Sequence, residues 1–165
     1  MRVVHSRVRS ALAAALLPII ISLSPGASAQ GTLSGVYKAN GKSAALTEVT
    51  AHKGEPESGK PVTVLVFTTK DQAKDPKAGF KALFGEYGDA VVVKVFSDGK
   101  IYSTDIRHSG FDFGPVPSAT VFDIVQMKDF KAAGGEISGH ITTGGKVDIR
   151  GQPWEVDLTF KTKAP

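Results

Sequence analysis

The run from Trp154 to Lys161 constrains the fold more than any other stretch of the sequence. Large apolar residues occupy one side of this run, polar residues occupy the other, and the alternation has no break. A period of two with one apolar side predicts a half-buried antiparallel β-strand. Two shorter alternating runs precede it from Gly134, separated by glycine-rich turns. We therefore expect residues 134–162 to form the closing meander of an all-β domain. The apolar positions of the last run are Trp154, Val156, Leu158 and Phe160.

Similar short runs recur along the chain at spacings near ten residues. Asn40-Gly41 and Asp98-Gly99 are two-residue hairpin signals, because such pairs tolerate positive φ. The runs 61–69 and 89–97 are strongly apolar, and the first is apolar on both sides, as expected of a central strand covered on both faces. The pattern predicts eight or nine strands in an antiparallel β-sandwich, with a small closed barrel as the alternative.

Between these strands, the sequence predicts one helix over residues 76–84. Asp75 suits the N-cap, Pro76 the first helical position, and Gly85 the end of the helix. Three apolar residues at i, i+3 and i+4 make one stripe, and we expect two helical turns that cap one end of the sheets. The apolar stripe consists of Phe80, Leu83 and Phe84.

Further along the chain, residues 119–127 predict one strand, and residues 128–133 predict a helical turn or a loop.

Residues 1–29 have the features of a secretory signal peptide. Three arginines precede a short apolar run over residues 11–22, and Ala27-Ser28-Ala29 fits a cleavage site. The apolar run is shorter than the ~20 residues that a membrane span needs, so we expect no span after cleavage. These features predict cleavage after Ala29, a single domain over residues 30–165, and a location in the bacterial periplasm or outside the cell.

The charge balance and the absence of cysteine narrow the function classes. The chain has 20 basic and 16 acidic residues; three of the basic ones and none of the acidic ones lie in residues 1–29, which leaves 17 against 16. Without a basic run or interleaved aromatic residues, we expect no nucleic-acid partner. The chain has no cysteine, so disulfides, thiol catalysis and cysteine metal ligation are excluded.

The closing segment also carries a resemblance. The sequence G-E-I-S-G-H-I-T-T over residues 135–143, followed by W-E-V-D-L-T-F over residues 154–160, resembles the endings of uncharacterised exported bacterial β-domain proteins. The resemblance covers mainly the last quarter of the chain and consists of strand and turn residues. It implies an all-β fold and export, and it transfers no catalytic residue.

The loop 109–117 is the predicted binding segment. It places Phe111, Asp112 and Phe113 among glycines and prolines, and long irregular loops often carry contacts. Two aromatic residues around a carboxylate could contact a small molecule or a protein. The alternative is that both aromatic rings fold back over an open end of the sandwich as a hydrophobic plug.

Two other functions are weighed against binding. A periplasmic copper or zinc protein would use His52, His108 and His140, since imidazole is a common metal ligand, although His108 and His140 occupy positions expected to face solvent. A small hydrolase would use Ser109 and Asp105 with His108, but no nucleophile elbow surrounds this serine. We therefore expect a non-catalytic binding module without a cofactor, whose partner is an unidentified small molecule or protein.

Overall fold

The fold is an antiparallel β-sandwich, seen in a computed structural model that describes residues 31–114 and 117–165. The described residues form eleven strands and one helix, and the strands divide into two sheets that do not close into a barrel. The predicted fold class is therefore confirmed, with more strands than expected. The predicted signal peptide over residues 1–29 lies outside the described residues. The strands are β1 (Thr32–Ala39), β2 (Lys42–Ser43), β3 (Glu48–Lys53), β4 (Val62–Thr68), β5 (Ala90–Phe96), β6 (Ile101–Arg107), β7 (Ser118–Val121), β8 (Gln126–Ala133), β9 (Glu136–Thr142), β10 (Val147–Ile149) and β11 (Gln152–Lys163), and the helix is α1 (Ala78–Leu83).

The two sheets have different topologies. One has the order β3-β4-β5-β6-β7, a simple meander, and the other has the order β2-β1-β11-β9-β8, with β10 also paired to β11. In the second sheet β1 pairs along its whole length with β11, from Thr32 opposite Lys161 to Ala39 opposite Trp154. The core lies between the sheets. Its largest fully buried side chains include Trp154, Tyr37, Phe67, Leu65, Ile106, Ile141 and Leu158.

The closing segment confirms the predicted alternation but not the predicted meander. Its four apolar side chains are buried, and the intervening positions are partly or fully exposed. However, β9 pairs with the second part of β11, and the short β10 pairs with the first part. β11 has twelve residues and is longer than either partner, so it can pair with both along one edge.

Helix α1 lies in the predicted region but does not cap an end of the sheets. It packs on the outer face of the five-stranded sheet, with Ala78 and Ala82 fully buried. Phe80 and Phe84 are 66% and 59% exposed, so of the predicted apolar stripe only Leu83 packs toward the sheet. The face with the small residues Ala78, Gly79 and Ala82 packs on the sheet, because small side chains let the helix backbone come close to it. A Cβ on Gly79 would lie 3.4 Å from Val64 Cγ1. The apolar residues beneath the helix are Val66, Ala90 and Val92.

The start of α1 is fixed differently from the N-cap prediction. The N-cap residue is Lys77, which makes no side-chain cap hydrogen bond. Asp75 instead accepts a hydrogen bond from the Lys77 backbone N–H at 2.8 Å, accepts another from the Tyr87 hydroxyl, and forms an ion pair with Lys81. Together these contacts hold the pKa of Asp75 below its usual range. The carboxylate therefore anchors the helix from two residues before its N-cap.

The predicted strand over residues 119–127 is divided in two. β7 ends at Val121, residues 122–125 leave one sheet, and β8 begins at Gln126 in the other. Residues 128–133, predicted as a helical turn or loop, belong to β8. The first error arises because periodicity does not reveal which sheet a strand joins. The second arises because a β-bulge at Asp129 interrupts the alternation of β8.

The hairpin signals are confirmed in position. Asn40 and Gly41 have φ values of 49° and 77°, as a two-residue turn requires. Around Asp98-Gly99 the loop has three residues, 97–99, instead of two. It is closed by the hydrogen bond that Phe96 N–H donates to the Lys100 carbonyl. Among residues 31–114 and 117–165, no helix is long and apolar enough to cross a membrane.

Candidate functional site

One end of the sandwich is closed by a column of aromatic rings, which we call the aromatic plug: Tyr37, His108, Phe111 and Phe113. The rings of Tyr37 and His108 meet edge to face with centroids 4.7 Å apart, and Phe111 follows at 5.9 Å from His108. Phe113 stacks on Phe111 at 4.5 Å, and the Arg150 guanidinium lies 5.3 Å from the Phe113 ring centre. The Tyr37 hydroxyl donates to the Arg107 carbonyl at 3.0 Å, which ties the plug to the five-stranded sheet.

Gln152, at the start of β11, holds the predicted binding loop against this end. Its Oε1 accepts hydrogen bonds from Asn40 Nδ2 at 2.6 Å and from the Asp112 backbone N–H at 2.8 Å. Its Nε2 donates to the Asp112 carbonyl at 3.1 Å. Asn40 Nδ2 also donates to the Gly110 carbonyl at 2.9 Å. The loop backbone is therefore held at Gly110 and at Asp112, on either side of Phe111.

The three predicted binding residues differ in accessibility. Phe111 is 6% exposed and belongs to the core between the sheets. Phe113 is partly buried against that core, and Asp112 is exposed. Because Phe111 is covered, the two rings do not form an open aromatic surface around the carboxylate. The geometry corresponds to the plug that the sequence left as the alternative.

His108 is fully buried, so the expectation that it faces solvent is wrong. Its Nδ1 accepts a hydrogen bond from the Gly110 backbone N–H at 2.8 Å, which places the proton of the neutral ring on Nε2. Nε2 is buried without a hydrogen-bond partner among the described residues. Burial lowers the pKa of His108, against the opposing charge of Asp89. This ring is a neutral core residue.

The other two histidines lie on opposite outer faces of the sandwich. His140 Nε2 lies 2.9 Å from Asp157 Oδ1, on the outer face of the six-stranded sheet. His52 lies on the outer face of the five-stranded sheet, where its Nε2 is 2.8 Å from Thr50 Oγ1. The three predicted metal ligands are therefore not brought together. No group of three or more potential metal-ligating side chains occurs within residues 31–114 and 117–165.

The predicted hydrolase residues are also separated in their contacts. Ser109 donates its hydroxyl to Asp89 Oδ2 at 3.1 Å, and Asp105 accepts the Thr120 hydroxyl. The Nδ1 atom of His108 is occupied by a backbone N–H. In the part of the chain that the structure describes, no hydrogen bond joins these three side chains.

A cleft between the sheets opens at the end opposite the aromatic plug, and sequence reasoning missed it. Its volume is about 610 Å³. The hairpins β3–β4 and β8–β9, the β5–β6 turn and the residues after β11 surround its mouth. We call it the open-end cleft. Its apolar lining includes Val62, Phe130, Ala132 and Ile137.

A β-bulge in β8 shapes one wall of this cleft. Lys128 pairs with His140 and Lys131 pairs with Ser138, so two residues of β8 oppose the single Gly139. The first of them, Asp129, has a φ of 52°. The extra residue reverses the alternation of β8, as bulges do. Phe130 therefore turns inward and packs over the β5–β6 turn, where a Cβ on Gly99 would lie 2.8 Å from its ring.

The polar groups of the open-end cleft are few. Lys53 lines it and forms no ion pair with the described residues, whereas Glu136 is paired with Lys161 at 2.7 Å. Thr63 and Ser97 contribute hydroxyls. An apolar cavity of a few hundred Å³ with a small number of polar groups is the usual form of a small-molecule site.

The sequence held one signal for this cleft, which is the density of glycine and proline at the turns that surround it: Gly54, Pro56, Gly59, Pro61, Gly134 and Gly135. Small turn residues leave the end of the sandwich uncovered, whereas the opposite end receives two phenylalanines from its loop.

Comparisons of the chain with protein-family models, with curated proteins and with solved structures found no match.

Proposed function

We propose that the protein is an exported, non-catalytic binding module whose ligand is a small, mainly apolar molecule held in the open-end cleft. The observation that carries the proposal is the contrast between the two ends of the sandwich. One end is filled by the aromatic plug, and the other opens into about 610 Å³ of mainly apolar space. An exposed apolar concavity costs free energy in water, which an apolar ligand recovers on binding.

The chemistry of the lining supports binding over catalysis. Glu136 is engaged by Lys161, and the remaining polar side chains of the lining are one lysine and two hydroxyls. A lysine and hydroxyls at the edge of an apolar site can orient a ligand by hydrogen bonds. Export, expected from residues 1–29, would place this site outside the cytoplasm.

Titration with the neutral fluorescent probe N-phenyl-1-naphthylamine tests the proposal. Ala132 lines the cleft on the bulged strand β8, and Ala132→Phe should fill part of the space. We expect saturable fluorescence enhancement with the natural protein and an affinity at least about tenfold lower for Ala132→Phe, the loss expected when ~1.4 kcal/mol of binding free energy is removed. Ala45→Phe is the matched control, since Ala45 is exposed in the connection between β2 and β3.

Circular dichroism establishes that both variants keep the fold. Amide chemical shifts provide a second reading that needs no variant: the probe should move the signals of Thr63 and Ile137, which line the cleft. Equal affinity of all three proteins, or probe-induced shifts confined to the plugged end, would contradict the proposal.

A further inference from the structure

A second concave surface lies outside the sandwich, beside helix α1. The helix covers only part of the outer face of the five-stranded sheet, and the uncovered part forms a groove of about 400 Å³. The partly exposed Val64 of β4 forms its floor beside the buried Val92 of β5, and Phe80 and Leu83 of α1 form one wall. We call this surface the outer groove. It shares only Lys53 with the open-end cleft.

Three lysines and one carboxylate line the outer groove, so positive charge is in excess there. Lys53, Lys77 and Lys94 all line it, and none of them forms an ion pair with the residues that the structure describes. Its one carboxylate, Asp105, accepts the Thr120 hydroxyl. Positive charges that converge on an apolar concave floor focus a positive potential there and attract an anion.

A hydrogen-bonded relay fixes the imidazole at the edge of the groove. The amide of the buried Gln72 donates to the Val66 carbonyl at 3.3 Å, so its Oε1 accepts the Thr50 hydroxyl at 2.8 Å. The Thr50 oxygen is then free to accept a hydrogen bond from the Nε2–H of His52, which lies 2.8 Å away. His52 is thereby held as a fixed edge of the groove.

We propose that the outer groove binds a small organic anion with an aromatic or branched apolar body and one carboxylate. The apolar body would cover the partly exposed Val64 and contact the exposed ring of Phe80. The carboxylate would accept charge-assisted hydrogen bonds from the lysine ammonium groups at the rim. Apart from Lys53, which lines both, this site is separate from the open-end cleft, since its floor lies on the outer face of the five-stranded sheet and the cleft lies between the sheets.

Amide chemical shifts measured during titration with 4-phenylbutyrate test this inference, with 4-phenylbutan-1-ol as the neutral analogue of the same shape. We expect saturable shifts at Gly79, Val64 and Val92, and weaker binding of the alcohol. Lys94→Glu should lower the affinity for 4-phenylbutyrate at least about tenfold, because it replaces an attraction with a repulsion. Lys131→Glu is the matched control, as Lys131 is exposed on β8 in the other sheet.

A second variant, Lys77→Glu, distinguishes a loss of binding from a folding defect in Lys94→Glu. Lys77 is exposed before the first turn of α1, so its replacement should not disturb the fold. It should weaken 4-phenylbutyrate binding in the same direction. Absence of saturable shifts at the groove residues, equal affinity for the acid and the alcohol, or unchanged affinity in both lysine variants would overturn the inference. Shifts at Thr63 and Ile137 report on the open-end cleft, and shifts at Gly79 and Val64 report on the outer groove, so either site can fail without the other.

Discussion

At the residue scale, closure of one end of the sandwich depends on the amide of Gln152. Its three hydrogen bonds to Asn40 and to the backbone of Asp112 hold the loop over the plug. We expect Gln152→Ala to lower the free energy of unfolding by about 1–2 kcal/mol, because a typical hydrogen bond contributes about 1 kcal/mol and these are partly exposed. Urea denaturation measures the loss, and hydrogen exchange of the Asp112 amide should accelerate.

Gln126→Ala is the matched control for this prediction. Gln126 is exposed at the start of β8, and its side chain makes no hydrogen bond to another described residue. Its replacement should change the stability by less than about 0.5 kcal/mol. A Gln152 variant with unchanged stability and an unchanged Asp112 exchange rate would show that the aromatic stacking holds the loop without the amide.

His108 makes the stability of the fold depend on pH. Burial lowers its pKa in the folded state, so the unfolded chain binds the proton more readily. Its contribution to stability is therefore present above the unfolded pKa of about 6.5 and is lost as the pH falls from there toward the folded value. The free energy of unfolding should fall between pH 7.5 and pH 5, and His108→Gln should reduce that slope.

The comparison for this pH dependence is His52→Gln. Burial also lowers the pKa of His52, so this variant should reduce the slope in the same direction. The two effects should add, because the histidines lie on opposite faces of the five-stranded sheet. If the natural protein and the double variant His52→Gln/His108→Gln lost the same stability on acidification, the loss would come from carboxylates and not from these histidines.

The burial of single residues was predicted correctly from the sequence where apolar and polar residues alternate without a break. Trp154 was expected in the core from alternation, and it is buried. His108 was expected to face solvent because it is polar and stands at the end of β6. Two residues before it lies Ile106, which is buried in the core, so the alternation of β6 places His108 on the inner side, where its ring is buried. The polarity of the side chain was therefore the wrong guide, and its position in the alternation was the right one.

At the scale of elements, α1 shows that an apolar stripe does not determine which face of a short helix is buried. Ala82 faces the sheet and is fully buried, whereas Phe80 faces outward. We expect Ala82→Asp to destabilise the fold by several kcal/mol, since it would bury an unpaired charge against Val66 and Val92. Phe80→Asp should cost less than about 1 kcal/mol. Thermal unfolding of the two variants measures the difference. If the two variants unfolded at the same temperature, or in the reverse order, the helix would have the opposite orientation.

The bulge in β8 shows why the open-end cleft was not predicted. Alternation from Met127 would place Asp129 inward, and this conflict made residues 128–133 look irregular in the sequence. The structure resolves the conflict with one extra residue opposite Gly139, after which Phe130 and Ala132 face the cleft. Bulges are set by the pairing partner, so a single strand sequence does not reveal them. Most strands were therefore predictable from their own residues, whereas β8, which the bulge interrupts, and the cavity beside it were not.

At the scale of the whole molecule, the two sheets share one core and depend on each other. β1 and β11 meet through pairs such as Ala39 with Trp154, so the centre of one sheet joins distant parts of the chain. The other sheet is a meander of sequence neighbours. Local pairings form more readily than distant ones, which suggests that the meander forms first. Its apolar inner face nevertheless stays exposed until β1 and β11 pair.

This dependence predicts a single cooperative unfolding transition. Trp154 reports on the six-stranded sheet by fluorescence, and far-ultraviolet circular dichroism reports on both sheets. The two midpoints should coincide in urea. Val156→Ala in β11 and Val93→Ala in β5 each open a small space at a fully buried position, and each should cost about 2 kcal/mol. Because both side chains belong to the same core, each variant should lower both midpoints equally. A variant in β5 that lowered the circular dichroism midpoint and left the Trp154 midpoint unchanged would mean that the sheets unfold independently.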